Sequence, residues 1–351
     1  MSRTLSRLAT LVVALLPLAT TGCGLAAAAA AAAISDAIEG DNGDGGDPTV
    51  VRVENDPASV DAIVTILVAR ADGTMTPKSF TVDEDPGDSK SLKDVLTAGT
   101  NYVRVVYASG WRSRARSVEV IKDDTVSVSF RHGTTDVASM AGTWFGGGED
   151  GGGTARTWAL TLDGSGNASA RTMDGSVAMA TGTTTETSEG VYRVTWSDTD
   201  VWTLVADGAR AHAGLATDDG AVAALQKGAT GPLPTGVDGD VVGSWVGTQA
   251  TFSGATFVPT DLDAARATVS AQGHWDAHSG DGDASVGVTP LLASVPAYLR
   301  FSADAEDAVT NPLDLDVWLS SDKTFGLAVL WPTAGGAWPD VATFAILEKA
   351  P

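Results

Sequence analysis

Apolar residues recur at every second position over most of this chain, which is the spacing of half-buried strands and not of helices. In Thr125-Val126-Ser127-Val128-Ser129-Phe130 the apolar side chains fall on one face and the hydroxyls on the other. Tyr102 to Tyr107 and Ser117 to Ile121 read the same way. Asp72-Gly73, Pro86-Gly87 and Asp123-Asp124 separate such runs with residues that favour turns. Residues 49–131 therefore predict a small antiparallel β-sandwich.

After His132 the chain states a pattern twice. Ala141-Gly142-Thr143-Trp144-Phe145-Gly146 returns as Val242-Gly243-Ser244-Trp245-Val246-Gly247, and the copies close near Leu225-Gln226-Lys227 and Leu347-Glu348-Lys349. Between them Gly228 to Gly236 is rich in residues that break strand and helix alike. Alternating faces such as Trp158, Leu160 and Leu162, or Tyr192, Val194 and Trp196, fill the first copy; Phe325, Leu327, Val329 and Trp331 form one in the second. Two related antiparallel meander or barrel domains, 137–228 and 240–351, are expected, and the fold class is all-β. Of the ten tryptophans, Trp144, Trp158, Trp196, Trp202, Trp245 and Trp318 sit at positions expected to face an interior. Trp275, Trp331 and Trp338 lie near loops, where they serve either as packing and rim residues or as rings for a lipid or glycan.

The opening glycine, any residue, then tryptophan, with a basic residue on the closing strand, resembles the lipocalin and related small-barrel pattern. The resemblance implies that the tryptophan plugs one barrel end with the basic side chain across its ring, so that Trp144 pairs with Lys227 and Trp245 with Lys349. Such a cation–π contact contributes roughly 0.5–2 kcal/mol. Small barrels are normally filled by their own side chains; a ligand-holding mouth is the alternative. In the first domain, Leu96-Thr97-Ala98-Gly99-Thr100-Asn101-Tyr102-Val103-Arg104-Val105 followed by Ser109-Gly110-Trp111 resembles carboxypeptidase-regulatory and PEGA-like sandwiches. That likeness implies a non-catalytic spacer or adhesion module.

The N-terminus departs from this strand pattern. Arg3 and Arg7 precede an apolar run from Leu8 to Ala19, shorter than the roughly 20 residues that span a bilayer. Leu18-Ala19-Thr20-Thr21-Gly22-Cys23 follows and resembles a bacterial lipoprotein signal, which implies removal of residues 1–22 and a lipid on Cys23. An ordinary secretory signal cut within the following alanines is the other reading. Each buried methylene contributes about 0.8 kcal/mol, so several acyl chains hold a body that one would release. Gly24 is not the aspartate associated with inner-membrane retention, so an outer-membrane destination is expected where the cell has two membranes. Residues 23–48, with Ala26 to Ala33 and the acidic, glycine-rich Glu39 to Pro48, read as a flexible tether.

Charge and chemistry narrow the function. The formal charge of −22 argues against nucleic acid or an anionic lipid surface as the main partner. A single cysteine leaves no internal disulfide. No nucleophile, base and orienting acid assemble from the four histidines. His274 and His278 have the spacing of a helical zinc pair, but Gly273 and Ser279-Gly280 make a helix improbable there. Asp281 and Asp283, or Asp314 and Asp316, read as solubilising turns, with calcium the weaker alternative; no metal or other cofactor is expected. Arg112, Arg114 and Arg116 on one strand face are either a solvated face or a docking stripe for an acidic partner, the rest of this chain included. The expectation is a lipid-anchored, non-catalytic interaction or structural module of the envelope, held to the membrane by its lipid and meeting another envelope protein or a glycan. A small-ligand-binding lipoprotein is the alternative, and an envelope carbohydrate-active enzyme comes third.

Overall fold

The computed structural model describes residues 50–350, apart from 71–76, 94–95, 97, 123, 134–135, 198–199, 230–237, 254–258, 272–274, 280–281, 287–290, 296–297, 305–312, 321 and 333–340, and apart from the side chains of 251–263, 275–316, 330–332 and 341–344. The protein is all-β among these residues, with two short 3-10 turns at Ala138–Met140 and Asp238–Asp240.

The first seven strands are β1 Val50–Asn55, β2 Ile63–Arg70, β3 Lys78–Glu84, β4 Ser89–Lys93, β5 Gly99–Tyr107, β6 Arg116–Val120 and β7 Thr125–Phe130. They form a sandwich of a three-stranded sheet, β4-β1-β7, and a four-stranded sheet, β3-β2-β5-β6. Alternation delivers Val51, Val53, Ile63, Ile66, Val103, Val105, Tyr107 and Phe130 to the space between the sheets. One expectation is corrected: β1 and β7 pair in parallel, Val51 beside Val126 and Val53 beside Val128. The first and last strands of the domain thus lie side by side, and only their long separation in sequence permits this.

The second unit comprises β8 Gly142–Glu149, β9 Ala155–Leu162, β10 Asn167–Thr172, β11 Ala178–Ser188, β12 Val191–Trp196, β13 Val201–Ala206, β14 His212–Thr217 and β15 Val222–Lys227. Each strand pairs antiparallel with the next and β15 returns to β8, closing an eight-stranded barrel. Closure leaves no edge.

The third unit runs through β16 Gly243–Ser253, β17 Pro259–Val269, β18 Trp275–Ser279, β19 Gly282–Val286, β20 Leu291–Val295, β21 Tyr298–Asp304, β22 Leu313–Leu319, β23 Phe325–Pro332 and β24 Val341–Lys349. It repeats the meander: the first strand pairs with the last, β16 with β24, giving the order β19-β18-β17-β16-β24-β23-β22-β21-β20.

The two meanders are packed wall to wall. Outward-facing Val191, Val201, Val205, Ala216, Val222 and Ala224 of the barrel form one buried cluster with Ala250, Trp318, Phe325, Leu327, Val329 and Ile346 of the third unit. Strands β13 to β15 are consequently buried on both faces, which is why Val201-Trp202-Thr203-Leu204-Val205-Ala206 is a nearly continuous apolar run and does not alternate.

Packing inside the barrel is close enough to forbid one extra methyl. A Cβ on Gly182 would come within 2.7 Å of Trp196 Cε3. Gly182→Ala is therefore expected to destabilise the chain by about 1–3 kcal/mol in denaturant unfolding. Gly164→Ala, with nothing within 4 Å of the added carbon, should stay within about 0.5 kcal/mol of the parent.

Candidate functional site: plugged barrel ends and the seams between domains

The repeated glycine–tryptophan motif builds the same structure twice. The indole Nε1 of Trp144 donates to the Met140 carbonyl oxygen at 2.9 Å, and that of Trp245 to the Val241 carbonyl oxygen at 2.7 Å. Each tryptophan is directly opposite its lysine, Trp144 beside Lys227 and Trp245 beside Lys349. Lys227 Nζ lies 5.7 Å from the Trp144 ring centroid and Lys349 Nζ 5.5 Å from that of Trp245. The same ammonium groups donate to the carbonyls of Ser139, at 2.8 Å, and Asp240, at 2.9 Å. Each plug thus ties the entering 3-10 turn to the closing strand.

The flanking glycines are required by this geometry. Gly142 and Gly243 hold φ of +140° and +133°, and a Cβ there would lie 2.9 Å from Lys227 Cε and 3.2 Å from Lys349 Cε. At Gly146 and Gly247 a Cβ would collide with the backbone oxygens of Ala224 and Ile346, at 1.9 and 1.8 Å.

Behind the first plug the barrel is filled. Trp158 and Trp196 both pack edge-on against Trp202, with centroids 5.5 and 4.8 Å away, among Leu160, Leu204, Leu215 and Leu225. The Nε1 groups of Trp158 and Trp196 are buried without a hydrogen-bond acceptor among the described residues. At the rim Arg156 pairs with Asp150 at 2.8 Å and with Asp174. The turn carboxylates Asp150 and Asp163 accept backbone N–H groups within their own turns, and both are held below the usual carboxylate range. At Asp150 burial pushes upward and the hydrogen bonds outweigh it; at Asp163 the largest influence is the Asn167 hydrogen bond.

Trp245 is surrounded by Val241, Ala265, Ala267, Val317, Leu319, Ala328 and Leu347. Trp318 is also buried, but it faces the first barrel and not the interior of its own unit. The expectation for Trp318 is corrected for a clear reason: β22 and β23 bury large residues on both faces, Trp318, Phe325, Leu327 and Val329 in the seam and Val317 and Leu319 beside Trp245, with Gly326 and Ala328 the small residues on that second face.

Arg112, Arg114 and Arg116 do not share a strand face, since Arg112 sits in an isolated bridge to Val106 and only Arg116 lies in a strand, at the start of β6; Arg114 and Arg116 nevertheless dock by their side chains on this same chain. Glu189, in the β11–β12 hairpin, accepts from the Arg114 backbone N at 2.9 Å through Oε2 and from Arg116 through Oε1 at 2.7 Å. Arg114 Nε donates to the Glu189 carbonyl oxygen at 3.1 Å, and the Glu189 N–H donates to Arg112 at 2.9 Å. Arg114 is buried, and desolvation lowers its guanidinium pKa to about 10. Glu189 was not legible as a partner, since nothing local marks a lone turn acid 75 residues from its arginine.

A second polar junction was also missed. His212 Nδ1 lies 2.9 Å from Asp207 Oδ2 and its Nε2 lies 2.9 Å from Asp322 Oδ2, across the seam. Its ring stacks on Phe325 with centroids 5.2 Å apart and planes 10° apart.

Cys23 and Trp338 lie outside the described residues; Trp275 and Trp331 fall in β18 and β23, with their side chains outside the description. His278 is in strand β18, opposite Arg266, and not on a helix; His274 lies outside the described residues. Asp314 and Asp316 lie within strand β22, opposite Trp331 and Val329, and are not turn residues. Among the described residues no cluster of three or more His, Cys, Asp or Glu side chains is placed to hold a metal ion, and no helix is long and apolar enough to cross a membrane.

No family model and no curated protein matches this chain. It is similar to a solved structure from Nostoc punctiforme PCC 73102, a protein of unknown function from the DUF3598 family. The two are 12% identical over 61% of this chain and 97% of that one, with a TM-score of 0.31.

Replacing Lys227 by Met keeps the stem but removes the charge over Trp144 and the donor to Ser139; a loss of about 1–2 kcal/mol in urea unfolding is expected. At the other junction, Glu189→Ala strips the Arg114 backbone N–H and the Arg116 guanidinium of their acceptor. It should lower stability by about 1–3 kcal/mol, whereas Arg52→Ala on the exposed face of β1 should change it by less than about 0.5 kcal/mol.

Proposed function

We propose that this chain is a lipid-anchored, non-catalytic protein of the cell envelope, whose rigid acidic body is carried on the 23–48 tether and meets another envelope protein. The observation that carries this reading is how the apolar surface is used. The interior of the first barrel is occupied by Trp158, Trp196 and Trp202, and its outer wall is spent on the third unit. What remains for a partner is exposed loops and a strongly acidic surface, in a chain of formal charge −22. His132 and His212, the histidines whose side chains are described, are both engaged structurally. His132 stacks on Trp111 with centroids 4.5 Å apart, and His212 is held between two carboxylates.

Two measurements test the reading. Cys23→Ala should move the protein from the membrane fraction to the soluble fraction, and acyl chains should be found on Cys23 by mass spectrometry of the parent. An unmodified Cys23, or a membrane association that survives the substitution, overturns the anchor. For the body, a thermal-shift screen against calcium, zinc, lipids and oligosaccharides should give no shift, because a ligand of the folded state must raise its apparent stability. Cross-linking on intact cells should then capture a protein. A clear shift with a lipid or oligosaccharide would replace the interaction module with a ligand-binding lipoprotein and direct attention to Trp275, Trp331 and Trp338.

A further inference from the structure

The junction at His212 has more built into it than a docking contact requires. The barrel contributes the turn from Asp207 to His212, and the third unit contributes the turn from Ser320 to Phe325. Asp207 Oδ1 accepts the Ala211 N–H at 2.8 Å, and Asp207 Oδ2 accepts the His212 N–H at 3.1 Å as well as facing the ring. Asp322 divides its two oxygens in the same manner. Its Oδ1 accepts from Ser320 Oγ at 2.5 Å and from the Thr324 N–H at 3.1 Å within its own turn. Its Oδ2 takes His212 Nε2 at 2.9 Å and Gln226 Nε2 at 3.1 Å from across the seam.

Backbone strain is concentrated at the same place. Among the described residues, the non-glycine residues with positive φ are Arg210, at 58°, and Lys323, at 63°. One lies in each of the two turns that meet at His212. Both are held there by their side chains: Arg210 donates to Tyr192 Oη at 3.1 Å and to the Asp207 carbonyl at 2.8 Å, and Lys323 pairs with Asp240 at 2.8 Å. Strain of this kind persists only where the surroundings over-determine it, and it gathers at switch regions.

Proton count decides what the junction can do. A carboxylate only accepts, and a neutral imidazole has a single N–H, so only the imidazolium can donate to Asp207 and Asp322 together. We propose that His212 is a proton-operated latch between the barrel and the third unit: charged, it bridges Asp207 and Asp322 across the seam; neutral, it keeps one carboxylate and releases the other. The released bond leaves the apolar cluster beneath it in place, so the latch sets how firmly the seam is held at its rim.

The charges around the latch agree with this. Facing it are the carboxylates Asp207, Asp322 and Glu348, whose Oε1 accepts the Gly208 N–H at 3.4 Å, and the cations Arg210 and Lys323; Arg114 of the sandwich shares the field of Asp207 and Glu348. Burial by itself pushes the His212 pKa down, but its hydrogen bonds to Asp207 and Asp322 outweigh it and the net shift is upward. A raised pKa in the folded state means that the latch contributes its full stability below the ordinary histidine pKa of about 6.5. That contribution is lost as pH rises through the folded value.

The test is a titration of the full chain by NMR, following the histidine ring signals and the indole N–H of Trp318 in the seam. His212 should titrate above the ordinary histidine range, and the Trp318 signal should move with the same midpoint. In Asp322→Asn the His212 midpoint should fall and the Trp318 response should disappear. The difference in thermal midpoint between parent and variant should be largest near pH 6 and should shrink above the parent's His212 midpoint. A His212 midpoint at or below the ordinary range in the parent, or a Trp318 signal that does not follow it, overturns the latch even if the variant fails to fold. An unchanged His212 midpoint in a folded Asp322→Asn also overturns it.

Discussion

The structure depends on one apolar seam. A small barrel normally buries one face of each strand and leaves the other in water, but β13 to β15 bury both, and the second face is covered by Trp318, Phe325, Leu327 and Val329. Without that cover, Val201, Val205 and Val222 would stand as an exposed patch on the wall of a closed barrel. Burial at about 25 cal/mol per Å² of apolar surface makes such a seam worth far more than any of the polar contacts at its rim. The ion pairs and the histidine therefore fix orientation, while the seam supplies the adhesion.

The same logic explains the two plugs. In each meander a tryptophan packs where the chain enters, with its indole N–H satisfied by the entering turn and a lysine laid over its face. The copies have then diverged in what their walls do. The first fills its interior with Trp158 and Trp196, each packed on Trp202. The third unit turns Trp318, Phe325, Leu327 and Val329 outward, towards its neighbour, and sets Val317, Leu319, Ala328 and Leu347 around Trp245.

Much of the strand content was legible, because period-two alternation survives wherever one face is wet: Thr125 to Phe130 is strand β7 to the residue. The Trp–Lys partners were implied by the resemblance of the motif to the small-barrel pattern, and the two lysines do lie over their rings. What failed did so for physical reasons. Alternation gives the period of a strand but not which face is the interior, and when both faces are buried the larger residues mark the interface as readily as the core; Trp318 was misassigned on that account. The run Val201 to Ala206, interrupted only by Thr203, and the unbroken apolar run Ala221 to Leu225 were the available signal of double-sided burial. The parallel pairing of β1 with β7, the Glu189 contact and the Asp207–His212–Asp322 bridge join residues remote in sequence, and no local pattern encodes them. Trp275, Trp331 and Trp338 remain candidates from sequence.

The most direct test of the seam is hydrogen exchange by mass spectrometry on the full chain carrying Phe325→Ser and Leu327→Ser together. If the wall of the barrel depends on its neighbour, peptides covering Val201–Ala206 and Val222–Lys227 lose protection along with those covering β23. If only β22 to β24 open and the barrel peptides exchange as in the parent chain, the barrel stands without the seam and the account is wrong.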